Sequence, residues 1–178
     1  MSEVLILIDI QNMYFCEGSY KLYEPEKAGK KAAEVLEKFR SENKPVIHVR
    51  HMFNVHGMED GEYRLDFNEC VKPENNEIIV SKNYPSSFLK TDLKEKLDEL
   101  KADKLVIAGM MTHMCIDTTV RAAQDYGYKV TVIHDACTTK DLNWNGKTMK
   151  AETVHDSIMA SLEGMFAEVV SCEEFLAK

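Results

Sequence analysis

Features that mark membrane, secreted and nucleotide-binding proteins are missing from this sequence of 178 residues. The first apolar run, residues 4–8, has no basic residues before it and ends at Asp9, so it is too short for a signal peptide or a membrane span. No Gly-x-Gly-x-x-Gly motif follows this run, which argues against a dinucleotide site. We therefore expect neither a membrane partner nor a bound cofactor.

Cysteine pairs and excess positive charge are also missing. The five cysteines, at positions 16, 70, 115, 137 and 172, are scattered and form no Cys-x-x-Cys motif, as is typical of free thiols in the cytoplasm. The sequence has 22 basic and 30 acidic residues, and its formal net charge is −8. Nucleic acid and anionic membranes are therefore not expected partners, and a small-molecule substrate is.

Short apolar runs alternate along the chain with segments of helical periodicity. The predicted strands are residues 4–8, 46–49, 78–80, 105–108, 129–133 and 169–170, and the main predicted helices are 26–42, 90–100, 114–126 and 148–165. This alternation predicts the α/β class, with a parallel sheet covered on both faces by helices. We expect one domain spanning 1–178, with irregular loops at 51–76 and 138–147.

Three chemically useful residues follow three predicted strands: Asp9, Lys82 and Cys115. Ligands of a parallel sheet bind beyond the carboxyl ends of its strands. A thiol, an ammonium and a carboxylate could act there as nucleophile, charge partner and proton carrier. Each residue also has a simpler alternative role, as a packed apolar cysteine, a surface lysine or a capping aspartate.

The cysteine follows a change from strand to helix. Residues 105–108 end at Gly109, and apolar residues then recur with helical spacing from Ile116. Cys115 should therefore lie near the first helical turn, where unpaired N–H groups and the helix dipole favour a thiolate. We expect this position and Lys82 to lower the pKa of the Cys115 thiol.

These motifs resemble the isochorismatase-like cysteine hydrolases, a family that includes nicotinamidase and N-carbamoylsarcosine amidase. The resemblance is carried by residues 7–12 (LIDIQN), by Lys82, by residues 109–115 (GMMTHMC) and by residues 135–137 (DAC). It implies a three-layer α/β/α sandwich around a six-stranded parallel sheet in the order 3-2-1-4-5-6. Such a sheet would place the first and fourth strands side by side.

The resemblance also implies a mechanism. Asp9, Lys82 and Cys115 would be the catalytic residues, and a cis peptide bond would join Met110 and Met111. The amides of Met111 and Cys115 would form an oxyanion hole. The expected reaction is cleavage of an amide or N-carbamoyl C–N bond through a thioester. Two alternatives stay open: an isochorismatase that hydrolyses a vinyl ether, and a non-enzymatic binding protein with the same fold.

The histidines depart from the nicotinamidase pattern. Nicotinamidases carry an Asp-x-His motif after the second strand to hold a metal, whereas this chain has His48 and His51 there, with His56 further on. Three histidines could bind zinc, but the aspartate of the motif is absent, and we predict no metal. His113 precedes Cys115 by two residues; we expect it to have a packing role, because Asp9 already supplies a base.

Aromatic residues near the predicted site offer walls for a substrate pocket. We expect Phe15, Tyr84, Phe88 and Trp144 to contribute, with Phe15 and Phe88 favoured because they lie close in sequence to Asp9 and Lys82. The family resemblance further implies a homodimer or homotetramer, with the 138–147 loop as a candidate contact.

Overall fold

The computed structural model of the protein describes residues 2–52 and 61–178. The sheet strands in this part are β1 (Ser2–Ile8), β2 (Val46–His51), β3 (Ile78–Lys82), β4 (Ala102–Met110) and β5 (Lys129–Thr138), followed by β6 (Leu142–Trp144), β7 (Lys147–Met149) and β8 (Glu168–Val170). Six of them form a parallel sheet in the order β3-β2-β1-β4-β5-β8. The predicted strand order is confirmed, with β8 as the sixth strand because the β6–β7 hairpin precedes it.

Helices cover both faces of this sheet, as the predicted three-layer arrangement requires. They are α1 (Pro25–Ser41), α2 (Gly61–Leu65), α3 (Leu93–Glu99), α4 (Asp117–Asp125), α5 (Ala151–Leu162) and α6 (Cys172–Leu176). One buried apolar cluster joins the sheet to α3, α4 and α5, and a second joins it to α1 and α6. No helix among these ranges is long and apolar enough to cross a bilayer.

Burial on both faces explains the uninterrupted apolar runs of the central strands. Residues 4–8 of β1 and 105–110 of β4 are buried throughout, because helices cover the sheet above and below them. Helix α1 instead shows an apolar stripe from Ala28 to Phe39, since only one of its faces meets the sheet. Pro25 stands at its first turn, where a missing N–H has no cost.

The two predicted loops contain more structure than expected. The 138–147 segment was wrongly predicted as a loop: β5 continues to Thr138, and the β6–β7 hairpin follows. Asn145 and Gly146 both have positive φ at the hairpin turn, and Asn-Gly is the sequence signal for such a turn. The 51–76 segment contains α2 and a 3₁₀ turn at Glu69–Val71.

Candidate active site

Strands β1 and β4 meet closely at the carboxyl edge of the sheet. Ile8 pairs with Gly109, and a β-carbon on Gly109 would lie 2.0 Å from the carbonyl oxygen of Ile8. Gly109 also has a φ of +138°, a conformation that side chains other than glycine rarely adopt. Glycine here therefore lets the turn that carries Cys115 lie beside Asp9, which directly follows β1.

The structure brings together the three residues that the sequence singled out. Lys82 Nζ lies 2.6 Å from Asp9 Oδ2 and donates a hydrogen bond to Cys115 Sγ over 3.2 Å. Asp9 and Lys82 are fully buried, and Cys115 is 3% exposed. A buried ammonium thus links a carboxylate to a thiol at the centre of the sheet, where the strand order reverses.

The predicted lowering of the Cys115 pKa is wrong. Burial and, to a smaller extent, the nearby Asp9 raise the pKa of the Cys115 thiol to about 12, even though the Lys82 ammonium acts to lower it. The backbone around the thiol also differs from the prediction, because Cys115 lies in a π-helical turn, Thr112–Ile116, that precedes α4. The resting protein therefore carries a thiol at this position rather than a thiolate.

The Asp9 carboxylate can accept the proton of the Cys115 thiol. Burial raises the pKa of Asp9, and the adjacent Lys82 ammonium opposes the shift. Its Oδ1 is buried and has no hydrogen-bond partner within residues 2–52 and 61–178. A buried oxygen with an unused lone pair and a raised proton affinity is suited to act as a general base.

His51 joins this group from the neighbouring strand. Its Nδ1 lies 3.0 Å from Lys82 Nζ and 4.0 Å from Asp9 Oδ2. The register of β2 and β3 pairs His51 with Lys82 directly. Burial, with a further contribution from Lys82, lowers the pKa of His51 to about 4, so the imidazole is neutral at physiological pH.

A metal would have to compete with the lysine. Among the described residues, Asp9, His51 and Cys115 are the group whose potential ligand atoms all lie within 4.8 Å of one another. Such a mixed oxygen, nitrogen and sulfur set suits zinc. The Lys82 ammonium already contacts all three side chains, so an ion could bind here only by displacing it.

His48, which the sequence offered as a possible zinc ligand, does not join this group. His48 is fully buried, and its Nε2 lies 2.8 Å from a carboxylate oxygen of Glu77. His56 lies outside the described residues. Of the described histidines on β2, His51 therefore lies in the candidate site beside Lys82, whereas His48 lies beside Glu77.

Hydrogen bonds to neighbouring elements hold the cysteine turn. The peptide bond between Met110 and Met111 is cis, at the position that the family resemblance implied. Thr112 Oγ1 lies 2.9 Å from Nδ1 of His155 on α5, and Nδ1 of His113 lies 2.5 Å from Oγ1 of Thr139. His113 is half-buried in this contact, and the packing role that we expect for it stays a prediction.

A clamp that sequence reasoning missed fixes the end of β2. The side chain of Gln11 accepts a hydrogen bond from the backbone N–H of His51 at 2.8 Å and donates to the His51 carbonyl oxygen at 3.1 Å. It also donates to the Leu65 carbonyl oxygen at 2.8 Å. Gln11 belongs to the LIDIQN segment, so its place two residues after Asp9 is the signal that could have identified it.

The four aromatic residues predicted to line a pocket lie in different surroundings. Phe88 is 9% exposed, belongs to the buried apolar core and contacts the exposed Tyr126, and its pocket role stays a prediction. Phe15 is half-buried against the α1 side of the core. Tyr84 and Trp144 are exposed, at 40% and 77%, and their pocket roles stay predictions.

Comparison with known proteins agrees with this fold. The family model described as the isochorismatase domain matches residues 3–174. The chain belongs to the isochorismatase family. It is 42% identical over 179 residues to the uncharacterized isochorismatase family protein YddQ of Bacillus subtilis, and this alignment covers 99% of each of the two chains. The crystal structure of a putative isochorismatase hydrolase from Oleispira antarctica superposes with a TM-score of 0.92 at 42% identity, covering 99% of this chain and 97% of that one.

A more distant relative is named a nicotinamidase. Nicotinamidase 3 of Arabidopsis thaliana is 31% identical over 96 residues, which is 54% of this chain and 43% of the plant protein. The family membership identifies this protein as an isochorismatase-family hydrolase, while the bond that it cleaves is a separate question.

Proposed function

We propose that the protein is a cysteine hydrolase that cleaves the C–N bond of a small amide or N-carbamoyl compound through a thioester on Cys115. The observation that carries this proposal is the position of the buried Lys82 ammonium, 2.6 Å from the Asp9 carboxylate and 3.2 Å from the Cys115 sulfur. A vinyl ether hydrolase has no need for a thiol in this arrangement. The relationship to a nicotinamidase gives further support.

The first step joins proton transfer to attack. Asp9 takes the proton of the Cys115 thiol as the sulfur attacks the carbonyl carbon, so a C–S bond forms and the carbonyl oxygen becomes an oxyanion. The Lys82 ammonium remains beside the sulfur and compensates the negative charge that develops there. The backbone N–H groups of Met111 and Cys115 are the proposed donors to the oxyanion.

The second step releases the nitrogen. The tetrahedral intermediate collapses, the C–N bond breaks, and the leaving nitrogen takes the proton from Asp9 and departs as ammonia or an amine. Asp9 then takes a proton from a water molecule whose oxygen attacks the thioester carbon. Breaking of the C–S bond returns this proton to the Cys115 sulfur and releases a carboxylic acid, or a carbamic acid from an N-carbamoyl substrate.

Mass spectrometry of the intact protein tests this proposal. Incubation with a library of small amides and N-carbamoyl compounds should add an acyl mass that maps to Cys115 and that hydroxylamine removes. Cys115→Ala should fold, show no adduct and lose turnover. Cys137→Ala removes another buried thiol at the same edge of the sheet, and it should keep both the adduct and the turnover. Hydrolysis of isochorismate by Cys115→Ala, or the absence of any adduct and any turnover, would contradict the thioester route.

We also propose that the working form is a homodimer or homotetramer. The β6–β7 hairpin lies outside the central sheet, and its Trp144 side chain is 77% exposed. Burial of the Trp144 ring against a second copy of the chain would stabilise an oligomer. The same contact would bring Trp144 close to the pocket of the neighbouring copy. Sedimentation of the protein and of Trp144→Ser tests this: a monomeric wild-type protein at micromolar concentration would contradict it.

A further inference from the structure

The ammonium of Lys82 has three hydrogen-bond donors and three neighbours that can accept. Its Nζ lies 2.6 Å from Asp9 Oδ2, 3.0 Å from His51 Nδ1 and 3.2 Å from Cys115 Sγ. The proposed mechanism uses the first and third of these contacts. The contact with His51 has no assigned role, although Lys82 is fully buried and a donor without a partner would cost free energy there.

The direction of the hydrogen bond follows from chemistry. An ammonium group donates hydrogen bonds and has no lone pair with which to accept one. His51 Nδ1 must therefore be the unprotonated nitrogen of the ring, and the proton of the neutral imidazole must be on Nε2. A protonated Nδ1 would instead place a second donor 3.0 Å from the ammonium.

Main-chain contacts fix the position from which His51 reaches the lysine. The Gln11 side chain is hydrogen-bonded to both the N–H and the carbonyl oxygen of His51. On the other side, the N–H of Met52 donates to the carbonyl oxygen of Lys82 at 2.8 Å, which continues the β2–β3 pairing past His51. The main chain that carries the imidazole is therefore held on both sides, by Gln11 after β1 and by the end of β3.

We propose that His51 is a positioning residue whose unprotonated Nδ1 accepts the third N–H of Lys82 and holds the ammonium between Asp9 and Cys115. Without this acceptor, the ammonium would move toward the carboxylate, because attraction to a full negative charge exceeds attraction to a neutral thiol. The sulfur would then lose part of its charge compensation during attack. This functional consequence rests on the proposed cysteine hydrolase activity, whereas the hydrogen bond itself does not.

Two substitutions separate the acceptor from the rest of the side chain. His51→Asn keeps an acceptor, because the amide oxygen of asparagine can take the place of Nδ1. His51→Leu keeps a similar volume and removes the acceptor. Comparison of backbone NMR spectra and thermal unfolding first shows that each variant is folded.

The decisive measurement is NMR of protein labelled with ¹⁵N in lysine and histidine. We expect His51 to be the Nε2–H tautomer and the Lys82 ammonium, assigned by its loss in Lys82→Met, to exchange slowly with water. His51→Leu should accelerate this exchange by about tenfold or more, and His51→Asn by less than about threefold. A protonated Nδ1 in the wild type, or unchanged exchange in His51→Leu, would overturn the proposal. The tautomer is read from the wild type, so this test survives a variant that does not fold.

A kinetic measurement tests the consequence for catalysis. On an amide that the adduct screen identifies, His51→Leu should reduce kcat by about 10- to 100-fold with KM changed by less than about threefold, and His51→Asn should restore most of kcat. Equal losses in both variants would contradict positioning through the acceptor. If no amide reacts at all, the hydrolase proposal fails, while the NMR result still decides whether His51 holds Lys82.

Discussion

Strand β2 contributes one histidine to each of two ion-pair networks, and the two networks treat their carboxylates in opposite ways. His48 meets Glu77, which also accepts two hydrogen bonds from Arg40 at 2.8 Å and one from the backbone N–H of Glu74. These contacts outweigh the effect of burial and lower the pKa of Glu77 to about 2. The carboxylate is saturated with donors and serves to tie α1 and β2 to the turn before β3.

The Asp9 network is incomplete by comparison. Asp9 has the Lys82 ammonium at 2.6 Å, but its Oδ1 has no hydrogen-bond partner among residues 2–52 and 61–178. Burial therefore prevails and the pKa of Asp9 is raised. A carboxylate that can still accept a proton is useful in catalysis, whereas one saturated with donors is useful for stability. The comparison thus distinguishes a reactive ion pair from a structural one within the same sheet.

The largest expected effect is that of Lys82→Met. It leaves Asp9 buried without its counter-ion, and removal of one partner of a buried ion pair costs about 3–5 kcal/mol of unfolding free energy. Turnover should also fall by more than about 10³-fold, because the sulfur loses its charge partner. Chemical denaturation and a turnover assay measure the two losses.

The double variant Asp9→Leu/Lys82→Met is the matched control. It replaces the whole pair by apolar side chains, a change that is often neutral or stabilising. We expect it to recover the stability that Lys82→Met loses while remaining inactive. A double variant less stable than the single one would show that the Asp9–Lys82 pair is structural, as the Glu77 network is.

Glu77→Gln should produce the reverse pattern. The substitution removes the charge that Arg40 and His48 contact, and hydrogen bonds to a charged group contribute about 1.5–3 kcal/mol. We therefore expect the free energy of unfolding to fall by about 2 kcal/mol, with turnover changed by less than about twofold. Both are measured on folded protein at neutral pH. A loss of turnover comparable to that of Lys82→Met would end the distinction between the two networks.

Acid should remove the contribution of Glu77 but not that of Asp9. The folded-state pKa of Glu77, about 2, lies below its ordinary value of 4.5, so its stabilisation is present above that value and is lost as the pH falls toward 2. For Asp9 the raised pKa gives the opposite sign, since protonation favours the folded state. Denaturation measures the difference in unfolding free energy between the wild type and Glu77→Gln. This difference should be smaller at about pH 3 than at about pH 6, by on the order of 2 kcal/mol. A difference that stays constant between the two pH values would contradict the stabilising role of the Glu77 carboxylate.

Sequence and fold rules were enough to predict that Asp9, Lys82 and Cys115 meet, because each lies at or beyond the carboxyl end of a strand of a parallel sheet. They were not enough to predict the thiol pKa or the contact between His51 and Lys82. Both depend on burial and on the β2–β3 register, and neither quantity can be read from residue types along one chain. The β6–β7 hairpin was missed for another reason: each of its strands is three residues long, shorter than the four to eight residues over which alternation predicts a strand.

The smallest predicted effect concerns thiol labelling and tests the resting state of the Asp9 network. Cys115 is 3% exposed, and the pKa of its thiol is raised to about 12. Iodoacetamide at about pH 8 should therefore modify Cys115 more slowly than the half-buried Cys16, by about tenfold or more. Peptide mass spectrometry over time measures both rates, and Cys16→Ser confirms the assignment. Faster labelling of Cys115 would mean that the thiol has already given its proton to Asp9 before substrate binds, so that the unpaired Asp9 oxygen would no longer be the base that attack requires.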